Sequence, residues 1–188
     1  MKAVKNRVIG MVAILALAAV VALAAPAASN DGSAGDEQVA KKVRHELVTL
    51  PYYGVFDNLA YKVEGNTVTL YGQVVEATTR SDAARRVAKI DGVERVINDI
   101  EVLPLSSFDN EIRVRAYRTI FRTGGLYRYA MGANPSIHIV VKGGHLTLEG
   151  VVANDADAQL ANIAARNVPG VFSVTNNLRS ERSAKGAY

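Results

Sequence analysis

Apolar positions in this chain follow two rhythms, and the pair of rhythms occurs twice. Val39, Val43, Leu47 and Leu50 recur at helical spacing behind the acidic start Asp36-Glu37. Leu59, Tyr61 and Val63 then alternate with polar neighbours, and the turn Gly65-Asn66 sends the chain back through Val68, Leu70 and Gly72. Two strands separated by two such residues predict a hairpin with a primed turn. A second helix is expected to open at a cap, Thr79 with Asp82, and to bury the small stripe Ala83, Ala84 and Val87. Gly92 is expected to end it, before a last strand through Val96, Asn98, Ile100 and Val102.

The same order returns downstream. Residues 63–74 match residues 141–152 at a constant offset of 78, with Val68-Thr69-Leu70 against Leu146-Thr147-Leu148 and Gly72 against Gly150. The offset continues through Ala83 and Ala161, Gly92-Val93 and Gly170-Val171, and Asn98 and Asn176. Upstream, an offset of 73 aligns Val39, Val43 and Leu47 with Ile112, Ala116 and Ile120, so the second copy holds about five extra residues near Tyr129 to Ser136. A gapless match of this length is a duplication. The second copy repeats the hairpin at Gly143-Gly144 and the cap at Asn154 with Asp157. The fold class expected is α+β, as two tandem αββαβ modules. Each is a three-stranded mixed sheet with two helices on one face. Gly72 and Gly150 fall on the inward face, where close approach of a helix is expected.

The ends carry other signals. Lys2, Lys5 and Arg7 precede an apolar run from Val8 to Val21 and small residues from Ala22 to Ala28, the order of a secretory signal peptide. Cleavage could follow Ala24, Ala27 or Ala28; the division taken is residues 1–27, with a retained anchor as the alternative. A polar leader (28–35), module 1 (36–104), module 2 (108–180) and a flexible tail (181–188) complete the expected layout. Removing the leader's three cations takes 22 basic residues against 18 acidic to 19 against 18, so a basic pI is no argument for nucleic acid. The chain has no cysteine, which excludes disulfides, thiol chemistry and a lipid-attachment cysteine. A periplasmic protein that is not a lipoprotein is the expectation.

The run Thr69-Leu70-Tyr71-Gly72-Gln73-Val74, the helix after it, and Gly92-Val93 leading to Val96, Asn98 and Ile100 resemble the BON domain, a family named for osmotically inducible protein Y and nodulation proteins. The resemblance covers both copies, and a tandem pair behind a signal peptide is similar to that osmotically inducible protein. It implies a non-enzymatic role in envelope or osmotic stress, binding of anionic phospholipid, and chaperone-like activity towards unfolded or outer-membrane proteins.

Residue chemistry agrees with a binding role. His45, His138 and His145 are expected at the surface, with His138 opposite Glu149, and no set of three or four converging metal ligands is legible. No P-loop, nucleotide fingerprint or nucleophile elbow occurs, so no cofactor and no small-molecule substrate is expected. The first helix of module 2 differs from its counterpart. With Ile112, Ala116 and Ile120 buried, about 100° per residue places Val114, Tyr117 and Phe121 away from the core, flanked by Arg113, Arg115, Arg118 and Arg122. Leu126, Tyr127, Arg128, Tyr129 and Met131 continue the mixture. Cations beside aromatics suit an anionic membrane interface. The contact set expected is Arg113, Tyr117, Arg118, Phe121, Arg122, Tyr127 and Arg128. Packing of Tyr117 and Phe121 against module 1 is the competing reading.

Overall fold

The computed structural model describes residues 31–132 and 134–181. The expected signal peptide and nearly all of the expected tail lie outside them. Module 1 runs α1 (Asp31–Val48), β1 (Asn58–Glu64), β2 (Thr67–Val74), α2 (Ala77–Val87) and β3 (Arg95–Val102). Module 2 runs α3 (Ser107–Arg122), a 3-10 turn (Leu126–Ala130), β4 (Ile137–Lys142), β5 (His145–Val152), α4 (Asp155–Arg166) and β6 (Ser173–Ser180). Each sheet is three-stranded and mixed: β1-β2-β3 and β4-β5-β6, with the hairpin pair antiparallel and the last strand parallel to its neighbour. The αββαβ duplication is therefore the architecture, as the repeat implies. α1 begins inside the stretch expected as a leader.

Both hairpins turn where the glycines require it. Glu64 pairs with Thr67 and Lys142 with His145, leaving two residues in each turn. Gly143 and Gly144 have φ of 58° and 78°, the left-handed pair that a primed turn needs. Each turn is gripped by an aspartate from the first helix of its module. The carboxylate of Asp109, buried, accepts the N–H groups of Gly143 and Gly144 at 2.9 and 2.8 Å. Asp36, its counterpart at offset 73, accepts the Gly65 N–H at 3.4 Å in an exposed setting.

Two glycines have a different reason from the one expected. A Cβ on Gly72 would lie 2.1 Å from the Asn58 carbonyl oxygen, and one on Gly150 would lie 2.0 Å from that of Ser136. Their φ values are +117° and +122°. The close neighbour is the backbone leading into the adjacent strand, not a helix. A backbone atom in a paired strand cannot yield as a side chain could.

The helix boundaries also differ. Asn154 caps α4 as expected, accepting the Asp157 N–H at 2.9 Å. In module 1 the matching position is Glu76, which starts α2 without a side-chain cap. Thr79 is thus inside the helix, buried, its hydroxyl without a hydrogen-bond partner among the described residues. α2 and α4 end at Val87 and Arg166, so Gly92 and Gly170 serve the following turn instead.

Asn98 and Asn176, identical in the two copies, close the outer edges. Asn176 Nδ2 donates to the Ala158 carbonyl at 3.1 Å, and Asn98 Nδ2 to that of Arg80 at 3.1 Å. Their Oδ1 atoms accept the N–H groups of Leu178 and Ile100, both at 3.3 Å. One side chain thereby ties an edge strand to its helix and occupies a backbone donor of that edge strand.

Each module has its own core. Val43, Leu47, Val68, Leu70, Val74, Ala83 and Val87 centre the first; Ile112, Ile120, Ile137, Ile139, Leu146, Leu148 and Ala161 centre the second. Val55 and Phe56, from the segment joining α1 to β1, pack against the core of module 2. Apolar burial has crossed the module boundary.

Candidate functional site

The first helix of module 2 was expected to carry the contact set, and burial divides its residues. The helix is capped by Ser106, whose hydroxyl accepts the Asp109 N–H at 3.1 Å. Ile112, Ala116 and Ile120 face the sheet as expected. Arg118 and Arg122 are exposed, with no ion-pair partner among the described residues. Tyr127, on the 3-10 turn, is 63% exposed. These three stand where a partner could meet them.

The other four are engaged. Phe121, expected away from the core, is 7% exposed and belongs to the core of module 2. The helix is followed at once by the 3-10 turn, whose Leu126 and Tyr129 are themselves buried, so the core extends around the helix end and encloses Phe121. Tyr117 keeps 38% exposure but meets Phe56 of module 1 edge-on at 6.3 Å and Phe121 at 4.9 Å. Arg128 is ion-paired with Asp157 and lies 4.8 Å over the Tyr129 ring. The Tyr129 hydroxyl donates to the same Asp157 at 2.6 Å, the first cause that lowers the Asp157 pKa, and accepts from Arg128 Nη2 at 3.2 Å, the first cause that raises that of Arg128.

Arg113 is a correction of a different kind. It is 3% exposed, and its Nη2 donates to the Val141 carbonyl at 2.8 Å. Val141 lies on β4, an edge strand, so the guanidinium satisfies a backbone acceptor there. Asn110 is a second partner, and Asp109 supports the charge that burial otherwise disfavours. Arg113 is a structural arginine, unavailable to any surface.

His138 is likewise buried rather than solvent-facing. It does pair with Glu149, as its hairpin position requires. Tyr53 of module 1 stacks on it, with ring centroids 5.3 Å apart and 29° between planes. His45 and His145 are exposed. Among the described residues no cluster of His, Asp or Glu could hold a metal ion, and no helix is long and apolar enough to cross a membrane.

A surface feature of module 2 escaped the sequence reading. Phe108 and Phe172 pair with ring centroids 5.8 Å apart over Gly144, and His145 meets Phe172 edge-on at 6.0 Å. Phe172 is 70% exposed, and Leu105, three residues before Phe108, is almost fully open to solvent. Phe108 begins the exposed side of α3 that continues through Arg115, Arg118 and Arg122. Arg115 is ion-paired with Glu111 at 2.6 Å. On α4, which packs beside α3, Ile163 and Arg166 are also exposed. The signal was present in the repeat: Phe172 replaces Glu94, Ile163 replaces Arg85, and Arg166 replaces Ala88 at the offset of 78.

The fold is thus that of a two-module α+β protein whose second module presents a cationic, aromatic helix layer. A family model described as BON domain matches residues 35–104 and 128–182. The chain belongs to the BON domain family, with one copy in each module, and α3 lies outside the second match. That family is generally non-enzymatic and is associated with phospholipid binding and envelope stress. No curated protein matches the chain. Two solved structures of CdsD, a structural protein of the type III secretion system of Chlamydia trachomatis, are similar at 13% identity. The one of its C-terminal domain has a TM-score of 0.30, covering 78% of this chain and 66%, just under two thirds, of that one. The other has a TM-score of 0.29 and covers 79% and 96%.

Proposed function

We propose that this protein is an exported, non-enzymatic envelope protein that binds anionic phospholipid surfaces through the helix layer of module 2. One observation carries the reading: Arg118 and Arg122, one turn apart and free of carboxylate partners among the described residues, share the exposed side of α3 with Phe108. The Phe108–Phe172 pair supplies apolar surface at one end of that helix and Tyr127 follows it at the other. Guanidinium groups meet phosphate headgroups while aromatic rings enter the interfacial layer, each cation contributing about 1 kcal/mol near an anionic surface. Arg113 and Phe121 have no part in this contact, because their side chains are occupied within the fold.

Vesicle flotation tests it. The full chain is expected to float with vesicles containing phosphatidylglycerol and to stay behind with pure phosphatidylcholine. Arg118→Glu with Arg122→Glu, or Phe172→Ser, is expected to abolish flotation without changing the circular dichroism. Equal binding to both vesicles, or full binding by the variants, overturns the proposal. A second reading, a soluble periplasmic chaperone for unfolded exported or outer-membrane proteins, draws on the exposure of Leu105 and Phe172. It requires suppression of client aggregation with no lipid present.

A further inference from the structure

The junction between the modules rests on one short segment, residues 49–57, that leaves α1 and lies against β4. Tyr53 stacks on His138, Val55 and Phe56 pack on the core of module 2, and the Val55 carbonyl accepts the Ile139 N–H at 2.7 Å. We propose that this junction is an acid-released latch, closed while His138 is neutral and opened by its protonation.

The geometry sets the protonation state. His138 Nδ1 lies 3.2 Å from the Gly54 carbonyl oxygen, which can only accept, so Nδ1 carries the proton. Nε2 lies 3.3 Å from the Tyr53 hydroxyl and is left to accept from it. A second ring proton makes Nε2 a donor to which the Tyr53 hydroxyl can turn a lone pair, so what the cation lacks in the closed junction is hydration, sealed off beneath the stacked tyrosine ring.

Charges around the ring do not compensate. Burial holds the His138 pKa below its ordinary value, outweighing the backbone of Gly54 and Asp57 and the charges of Asp57, at the end of the segment, and Glu149, across the β4–β5 pair, all of which favour the cation. Arg113 feels the charge of Asp57, while Arg44, Asp99, Glu101 and Arg179 line the same cleft as His138. Lys142 and Glu101 add a salt bridge between the modules, exposed and therefore weak. Asp57 titrates in the opposite sense, its pKa raised by burial. Its hydrogen bonds go to the N–H groups of Gly54 and Val75, both of module 1, so it travels with that module.

His138 thus titrates lower in the latched form than in the open form, where it is an ordinary exposed imidazole. Closure is at full strength above a pH of about 6.5 and weakens as pH falls below it, by about tenfold for each unit of difference between the two forms. Opening uncovers Phe56, Val140 and the edge of the Tyr117–Phe121 pair, apolar surface that the junction hides. The inference does not depend on lipid binding.

The absence of cysteine makes the test direct. Lys89→Cys and Gln159→Cys, both exposed and one in each module, carry a donor–acceptor dye pair in the full chain. A single dye-to-dye distance is expected at pH 8, with a second population growing as pH falls from 6.5 to 5. His138→Phe keeps an aromatic ring under Tyr53, cannot protonate, and is expected to keep the pH 8 distance throughout. An unmutated chain that shows no change, or a His138→Phe chain that opens in parallel, overturns the latch. Should His138→Phe fail to fold, the NMR titration of His138 in the unmutated chain decides: a midpoint below 6.5 supports the latch and one at or above it overturns it.

Discussion

Arg113 and Val141 meet at the open edge of the second sheet, guanidinium Nη2 to carbonyl oxygen at 2.8 Å, out of reach of solvent. The contact joins α3 to the strand whose N–H at Ile139 is taken by Val55. Between them, a side chain of module 2 and a carbonyl of module 1 occupy both kinds of backbone group on that edge. Arg113→Met is therefore expected to destabilise module 2 by about 3 kcal/mol, since it strands a buried acceptor and removes the cation beside Asp109. Arg118→Met, on the exposed side of the same helix, is expected to change stability by no more than about 0.5 kcal/mol. Urea unfolding of the two variants checks the contrast, and similar losses would refute this division of α3.

Gly150→Ala forces a Cβ to within 2.0 Å of the Ser136 carbonyl oxygen at a φ of +122°. Both strain and clash act on paired backbone, so a cost of about 3 kcal/mol or more is expected. Gly65→Ala, in a turn with open space around it, carries only the left-handed penalty of about 1 kcal/mol. Melting curves separate the two.

Thr79 gives a prediction whose sign matters. A helix cap loses about 1 kcal/mol when its hydroxyl is removed. Inside α2, with a buried hydroxyl that finds no partner among the described residues, Thr79→Val is expected to gain about 1 kcal/mol. A loss on chemical denaturation would restore the cap.

Asn176→Ala is expected to cost about 1 kcal/mol, because the Ala158 carbonyl and the Leu178 N–H each lose a partner. It also frees a donor on an outer strand, so sedimentation velocity should show more self-association than for the unmutated chain. An unchanged monomer fraction would argue against the edge role.

What the sequence determined is the repeated pattern. Period, turn chemistry and constant offset are local properties, and they specify two αββαβ modules, both hairpins, the Asn154 cap and the identity of Asn98 with Asn176. They do not carry the direction of every side chain on a helix whose far side is also covered. A projection of α3 treats one stripe as buried and the rest as free. The 3-10 turn and the segment from module 1 enclose Phe121 and part of Tyr117, and Arg113 turns onto a strand edge. His138 looked solvent-facing because alternation assigns it to the outer face of β4, and only the partner module makes that face interior. Burial between elements distant in sequence depends on how they pack, and packing is decided by shape and area in three dimensions. The differences between the copies, at Phe172, Ile163 and Arg166, were legible from the start; that Phe172 pairs with Phe108 of α3, and that Ile163 and Arg166 stay exposed on α4, was the decision of the tertiary structure.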